Sequence, residues 1–264
     1  MTASVSAFAA ALAEIAHDAG QLILRFYAEG ARVRTKADDS PVTEADEEAE
    51  RLIAAGLAQL APDVPVIAEE AMAKGHKPAP GPRFFLVDPL DGTKEFLKRN
   101  GEFTVNIALI EDGRPVIGVL LAPAKHRLFI GDGSNGAFEV AAQEQKLIDL
   151  ARARTLHVRS APKDGLIALA SRTHGDLKTE EYLSRYPIAK LMVAGSSLKF
   201  GLIAAGEADL YPRHGPTMEW DTAAGQAVLE AAGGSVTTLE GAPLKYGKID
   251  TGYRNPYFVA RGRV

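Results

Sequence analysis

The sequence contains no cysteine among its 264 residues. That excludes disulfides, thiolate metal sites and a cysteine nucleophile. Nor does it carry an excess of basic charge: 30 Lys and Arg stand against 34 Asp and Glu, a formal net charge of −4. This argues against a general basic surface for nucleic acid or anionic membrane. No uncharged apolar run approaches the roughly 18 residues of a membrane span. The alanine-rich start lacks a positive leader segment, and Glu14 and Asp18 follow directly. The expectation is a cytoplasmic protein without an integral membrane segment; peripheral attachment at the inner face of the membrane stays open, as do monomer and homodimer. Internal repeats and low-complexity tracts are also absent.

What is present is patterned. Phe8, Leu12, Ile15, Ala16, Ala19, Leu22, Ile23 and Phe26 fall on one stripe and predict a helix over 8–27. His17 is expected on its surface beside Asp18. After a loop over 35–42, Thr43 and Asp46 resemble a capping box with Asp in place of Glu, and a second helix runs to Leu60. Apolar runs at 64–68, 84–87, 103–110, 115–121, 128–130 and 137–140 predict strands. Glu111-Asp112-Gly113-Arg114 and residues 131–136 read as hairpin connections. The first half is thus two helices on a mostly antiparallel sheet. The charged stretch 143–154 reads as an inter-lobe segment. The second half alternates: strands at 166–171, 190–193, 209–211, 235–238 and 257–260, helices at 176–186, 197–205 and 222–232. This is an α/β (α+β) layered fold. Two lobes are expected, 1–155 and 156–264.

Three acidic clusters stand at strand ends or helix starts: Ala68-Glu69-Glu70, Asp88-Pro89-Leu90-Asp91-Gly92-Thr93, and Trp220-Asp221-Thr222. Carboxylates at strand ends point into the crevice where ligands bind. Carboxylates, carbonyls and water suit hard divalent ions, Mg²⁺ above all. Pro89 predicts a turn, and Gly92 permits a tight path after it. Such a turn places Asp88, the Leu90 carbonyl and Asp91 around one point, with Thr93 at a helix N-terminus suited to phosphate. Each cluster alone also fits a helix cap or an Asp-Gly turn. Together they call for cations, because five carboxylates near one crevice repel one another.

Asp88-Pro-Leu-Asp-Gly-Thr93 and Trp220-Asp-Thr-Ala-Ala-Gly225 resemble the two signatures of the inositol monophosphatase superfamily of metal-dependent, lithium-sensitive phosphatases. The run from Val87 to Ile110, with Thr35 to Thr43, Gly195-Ser-Ser-Leu-Lys-Phe200 and Leu210-Tyr-Pro-Arg213, is similar to the CysQ-type 3′(2′),5′-bisphosphate nucleotidases. The resemblance implies a layered α-β-α-β-α sandwich. It implies two or three Mg²⁺ ions held by Glu69, Asp88, the Leu90 carbonyl, Asp91 and Asp221. It implies roles near the attacking water for Asp46, Glu70 and Thr93. Nucleotide contacts would fall on Ser196, Lys199, Arg213 and His174. Substrate would also meet Glu69, Leu90, Asp91, Gly92, Thr93 and Asp221. Most metal ligands then belong to the first lobe, while Asp221 and the nucleotide contacts belong to the second.

The implied substrate is a small bisphosphorylated nucleotide, 3′-phosphoadenosine 5′-phosphate or its sulfated form, in sulfur metabolism. Inositol monophosphatase or fructose-1,6-bisphosphatase activity is the alternative within the enzyme class. A non-catalytic metabolite sensor is the alternative outside it, disfavoured by the intact acidic set with Thr93. Trp220 is expected in the core. Ser196-Ser197 also fits a simple N-cap pair for the next helix.

Overall fold

The computed structural model describes residues 4–36, 39–133, 135–143, 147–170 and 177–264. The first half comprises α1 (Ala7–Glu29), β1 (Val33–Thr35), β2 (Pro41–Thr43), α2 (Glu44–Leu60), β3 (Val66–Ala68), α3 (Glu69–Ala73), β4 (Arg83–Asp91), α4 (Thr93–Leu97), β5 (Thr104–Glu111), β6 (Arg114–Ala122), β7 (Arg127–Asp132), β8 (Gly136–Ala141) and β9 (Arg154–Leu156). The second comprises β10 (Leu166–Ala170), α5 (Leu177–Leu183), β11 (Ile188–Val193), α6 (Leu198–Ala204), β12 (Leu210–Arg213), α7 (Glu219–Ala231), β13 (Ser235–Thr238) and β14 (Phe258–Arg261).

Strands β3 to β9 form a seven-stranded sheet in sequence order, antiparallel except for the β3–β4 pair. A five-stranded sheet runs β11-β10-β12-β14-β13, and β1-β2 is a separate ribbon. Both faces of the large sheet are covered, so its strands read as continuous apolar runs. Period-2 alternation sorts them. Phe85, Val87, Val105, Ile107 and Val119 pack toward α1 and α2. Phe84, Leu86, Ala108, Ile110 and Leu120 pack on the other side, with α6 and α7 residues such as Phe200, Ala224 and Val228. Helices α6 and α7 thus lie between the two sheets, and α5 contacts β12 on the smaller one. The expected α-β-α-β-α layering is present.

Several local expectations need correction. His17 is buried, 5% exposed, because α1 packs against α2 and the sheet along more of its circumference than the stripe implied. The segment 143–154 lies between β8 and β9, neighbours in one sheet, so it is an excursion within the first half. Pro89 does not turn the chain: β4 continues through it to Asp91. Helix α1 is long and apolar enough to cross a membrane by length and composition. Its apolar residues Leu12, Ala16, Ala19 and Ile23 are buried in the core instead.

Helix α7 sits very close to the large sheet. A Cβ at Gly131 would lie 2.5 Å from the backbone of Ala227, which cannot rotate away. Gly131→Ala is expected to lower the unfolding free energy by about 1–3 kcal/mol through overpacking. Urea unfolding of the variant checks this, and wild-type stability would show that α7 can shift outward freely.

Candidate active site

Asp46 is the third residue of α2 and closes the capping box: its Oδ2 accepts the Thr43 amide (2.7 Å) and hydroxyl (2.6 Å). Its Oδ1 accepts the Thr93 hydroxyl at 3.0 Å, which ties α2 to the start of α4. Glu69 and Glu70 open α3, and Glu50 caps that helix by accepting the Glu70 amide at 2.7 Å.

On β4, Asp88 faces Asn106 of β5 and Asp91 faces Thr104. Pro89 and Leu90 together oppose Val105 alone, so the strand bulges between the two carboxylates. The bulge re-aims the side chains, and Leu90 N donates to Asp88 Oδ1 at 3.0 Å. Gly92 then takes a left-handed conformation (φ 93°) that starts α4. From the second half, Asp221 sits in the first turn of α7, where its Oδ2 accepts the Met218 amide at 2.8 Å.

These segments meet. Glu69, Asp88, Leu90, Asp91, Gly92, Thr93 and Asp221 line one crevice of about 450 Å³, with Lys94, Thr217, Trp220 and Arg254 among its other walls. Trp220 is 6% exposed, a core residue that also forms a wall.

The electrostatics of the crevice call for positive charge. Burial, then repulsion from Glu69, Asp91 and Asp221, holds Asp88 well above the usual carboxylate range. Burial, then Asp91 and Glu69, does the same to Asp221. Burial also raises Glu69 and Asp46, and it pushes Glu70 up to about 7. One cation already answers: the Lys36 ammonium lies 2.6 Å from both Glu69 Oε1 and Glu70 Oε1. Burial alone would lower Lys36, but the two carboxylates raise it above the usual lysine value. Among the described residues no three Asp, Glu or His side chains stand ready-spaced around one ion. By donor chemistry the set nevertheless fits a hard divalent cation: oxygen ligands only, an excess of buried negative charge and a neighbouring carbonyl.

A second pocket, about 100 Å³, adjoins the crevice and shares Asp91, Gly92 and Asp221 with it. Ser196, Lys199, Tyr211 and Arg213 line it. Lys199 is buried, with Nζ donating to the carbonyls of Ser196 (2.6 Å) and Ala194 (3.1 Å) and lying over the Tyr211 ring. Burial lowers it to about 8. Arg213 Nη2 donates to Pro216 O at 3.1 Å, while its buried Nε meets no acceptor among the described residues. Ser196 takes a left-handed backbone (φ 56°) and donates its hydroxyl to Asp91 Oδ2 at 2.7 Å. Ser197 is the N-cap of α6, but its hydroxyl meets Asn106 Oδ1 at 2.6 Å rather than the helix. His174 lies outside the described residues.

Sequence reasoning passed over Lys36, Thr104 and Asn106. Lys36 stands in a stretch the resemblance included, yet carried no motif of its own. Thr104 and Asn106 had a signal: two polar residues on one face of an otherwise apolar strand.

Comparison with known proteins places the chain. The model of the inositol monophosphatase family matches residues 4–261. The chain is 43% identical over 249 residues to the 3′(2′),5′-bisphosphate nucleotidase CysQ of Escherichia coli K12, covering 93% of this chain and 96% of that protein. The corresponding Shigella flexneri protein is 44% identical over 248 residues, at the same coverage. Among solved structures, CysQ from Bacteroides thetaiotaomicron, a bacterial member of that family, superposes with a TM-score of 0.81 at 38% identity over 97% of each chain. An inositol monophosphatase of Thermotoga maritima shares the fold, with a TM-score of 0.76 at 23% identity over 95% of this chain and 90% of that one.

Proposed function

The chain belongs to the inositol monophosphatase family, and from that premise we propose that it is a magnesium-dependent 3′(2′),5′-bisphosphate nucleotidase. It removes the 3′-phosphate of 3′-phosphoadenosine 5′-phosphate, leaving AMP, and accepts the sulfated analogue through the same contacts. Enzymes of this family are magnesium-dependent in general. Two or three ions are proposed here, held by Glu69, Asp88, the Leu90 carbonyl, Asp91 and Asp221. Residues 1–155 supply most of these ligands; residues 156–264 supply Asp221 and the nucleotide contacts.

The observation that carries the reading is the pair of adjoining pockets. A bisphosphorylated substrate needs two anion sites, one for the phosphate that leaves and one for the phosphate that stays. The carboxylate crevice suits the first once cations are bound. The smaller pocket offers the second, with the Arg213 Nε lacking an acceptor and the Lys199 ammonium beside it. Arginine's planar fork matches phosphate, and lysine adds a point charge.

Bound Mg²⁺ supplies Lewis acidity, lowers the pKa of a coordinated water and balances the charge of the leaving oxygen. The chain's residues do the rest. Thr93 directs its proton to Asp46, which leaves the Thr93 oxygen free to accept a hydrogen bond from the attacking water. Asp46 is itself fixed by the two Thr43 donors, so the pair is pre-oriented. Glu70 shares the Lys36 ammonium with Glu69 and is assigned a supporting role near the attacking water. Gly92 starts α4 at the crevice wall, where the substrate phosphate would bind.

A phosphate-release panel tests the reading: 3′-phosphoadenosine 5′-phosphate, its sulfated form, inositol 1-phosphate and fructose 1,6-bisphosphate, each with and without Mg²⁺. The bisphosphorylated nucleotide is expected to give the highest kcat/KM. Preference for inositol 1-phosphate would overturn the substrate reading while keeping a phosphatase.

Lys199 adds a pH dependence. Its ammonium is lost as pH rises through about 8. Anion binding at that pocket then weakens, so KM for the bisphosphorylated substrate is expected to rise several-fold from about pH 7 to about pH 9. KM for a monophosphate should change less. Parallel KM profiles for the two substrates would remove Lys199 from the anion pocket.

A further inference from the structure

Beneath Asp91 lies a chain of polar groups, with Thr104, Asn106 and Ser197 buried and Ser196 at the wall of the smaller pocket. Thr104 Oγ1 meets the hydroxyls of both Ser196 and Ser197. Ser196 Oγ donates to Asp91 Oδ2, and Ser197 Oγ meets Asn106 Oδ1. Three hydroxyls carry three protons, yet they make four such contacts. If Ser197 gives its proton to Asn106, one Thr104 contact has no proton at all. At the same time Asn106 Nδ2 is buried without an acceptor among the described residues, a costly state for a donor.

One rearrangement removes both defects. The oxygen and nitrogen of an Asn amide are nearly the same shape, so the side chain turned over by a half-turn fills the same space. Nδ2 then donates to Ser197, Ser197 to Thr104, Thr104 to Ser196, and Ser196 to Asp91. Every hydroxyl proton then has one acceptor, Nδ2 has one as well, and the series has one direction. We propose that Asn106, Ser197, Thr104 and Ser196 form a one-way hydrogen-bond relay ending on Asp91 Oδ2, and that these positioning residues set that carboxylate for cation binding.

The relay's placement gives it a consequence. Thr104 and Asn106 belong to β5, directly across from Asp91 and Asp88. Ser196 and Ser197 precede α6, and the Ser197 amide adds a second donor to the same Asp91 oxygen at 2.7 Å. Oδ2 is thereby occupied, and Oδ1 is the oxygen presented to a cation. Successive hydrogen bonds of one direction polarise one another, so a break anywhere weakens the last bond. The anion pocket is joined to the same device, because Lys199 holds the Ser196 carbonyl.

The test is Mg²⁺ titration calorimetry on the full-length, chelator-stripped protein, and it rests on the metal reading above. Thr104→Val breaks the relay at its centre, and Ser196→Ala breaks it at its end. Each is expected to weaken Mg²⁺ binding about tenfold, the scale of one hydrogen bond to a charged group. The double variant is expected to be no weaker than either single one, because both cut one chain. Thr104→Ser, which restores the hydroxyl, should recover wild-type affinity. Should Thr104→Val not fold, Ser197→Ala takes its place in the cycle. Wild-type affinity in the single variants, or losses that multiply in the double, would overturn the relay. Absence of Mg²⁺ binding by the wild-type protein would instead overturn the metal reading, and the relay with it.

Discussion

Asp91→Asn is expected to lower kcat on 3′-phosphoadenosine 5′-phosphate by at least about a hundredfold, equivalent to about 2.7 kcal/mol of barrier. Asp91 is the residue on which the site's parts meet. It lines both pockets, accepts two donors from the Ser196-Ser197 turn, and raises Asp88 and Asp221 through its charge. The amide keeps the shape but removes a negative charge from the ligand set, and carboxylates are the preferred ligands of Mg²⁺. Wild-type protein in a chelator should lose turnover in the same way and recover it with Mg²⁺. Folding should survive the substitution, because it relieves repulsion among buried carboxylates. Steady-state kinetics with circular dichroism of the variant provide the check. Near-normal turnover by the variant, or by chelated wild type, would sink a metal mechanism at this crevice.

Arg213→Ala is expected to reduce kcat/KM on the bisphosphorylated nucleotide by about 1.5–3 kcal/mol, the range for a hydrogen bond to a charged group. Arg213 stands at the end of β12 in the smaller pocket with a buried Nε that meets no acceptor among the described residues. A donor held without a partner in the free protein is restored by a ligand oxygen at that place. The effect should be far smaller on a monophosphate, which has no second phosphate to lose. Equal losses on both substrates would show that Arg213 supports the Thr217 segment through its bond to Pro216 O instead. The ratio of the two kcat/KM values is therefore the informative quantity, rather than either alone.

Much of the architecture was legible from local pattern. The helical stripe of α1, the Thr43–Asp46 capping box and the hairpin at 111–114 appear where the spacing predicted them. These are short-range effects, settled by side-chain period and by hydrogen bonds a few residues apart. The failures have the opposite character. Pro89 was read as a turn because its lost N–H ends most ladders; pairing with β5 on both sides carries β4 through it as a bulge. His17, beside Asp18, is expected at the surface; the packing of α1 against both α2 and the sheet buries it. Lys36 had no motif to mark it, and only the approach of the β1–β2 ribbon to α3 pairs it with Glu69 and Glu70.

The order of elements, the layered class and the inventory of acidic and hydroxyl side chains follow from the sequence, because periodicity, caps and residue chemistry are written locally. Tertiary packing settles that residues as distant as Glu69, Asp88 and Asp221 line one crevice, and that their burial raises them together. It also decided which hydroxyl serves which oxygen: Ser196, nominally a nucleotide contact or a helix cap, donates to Asp91 across 105 residues. Convergence of that kind depends on sheet register and helix packing at long sequence separation, where no local spacing rule reaches.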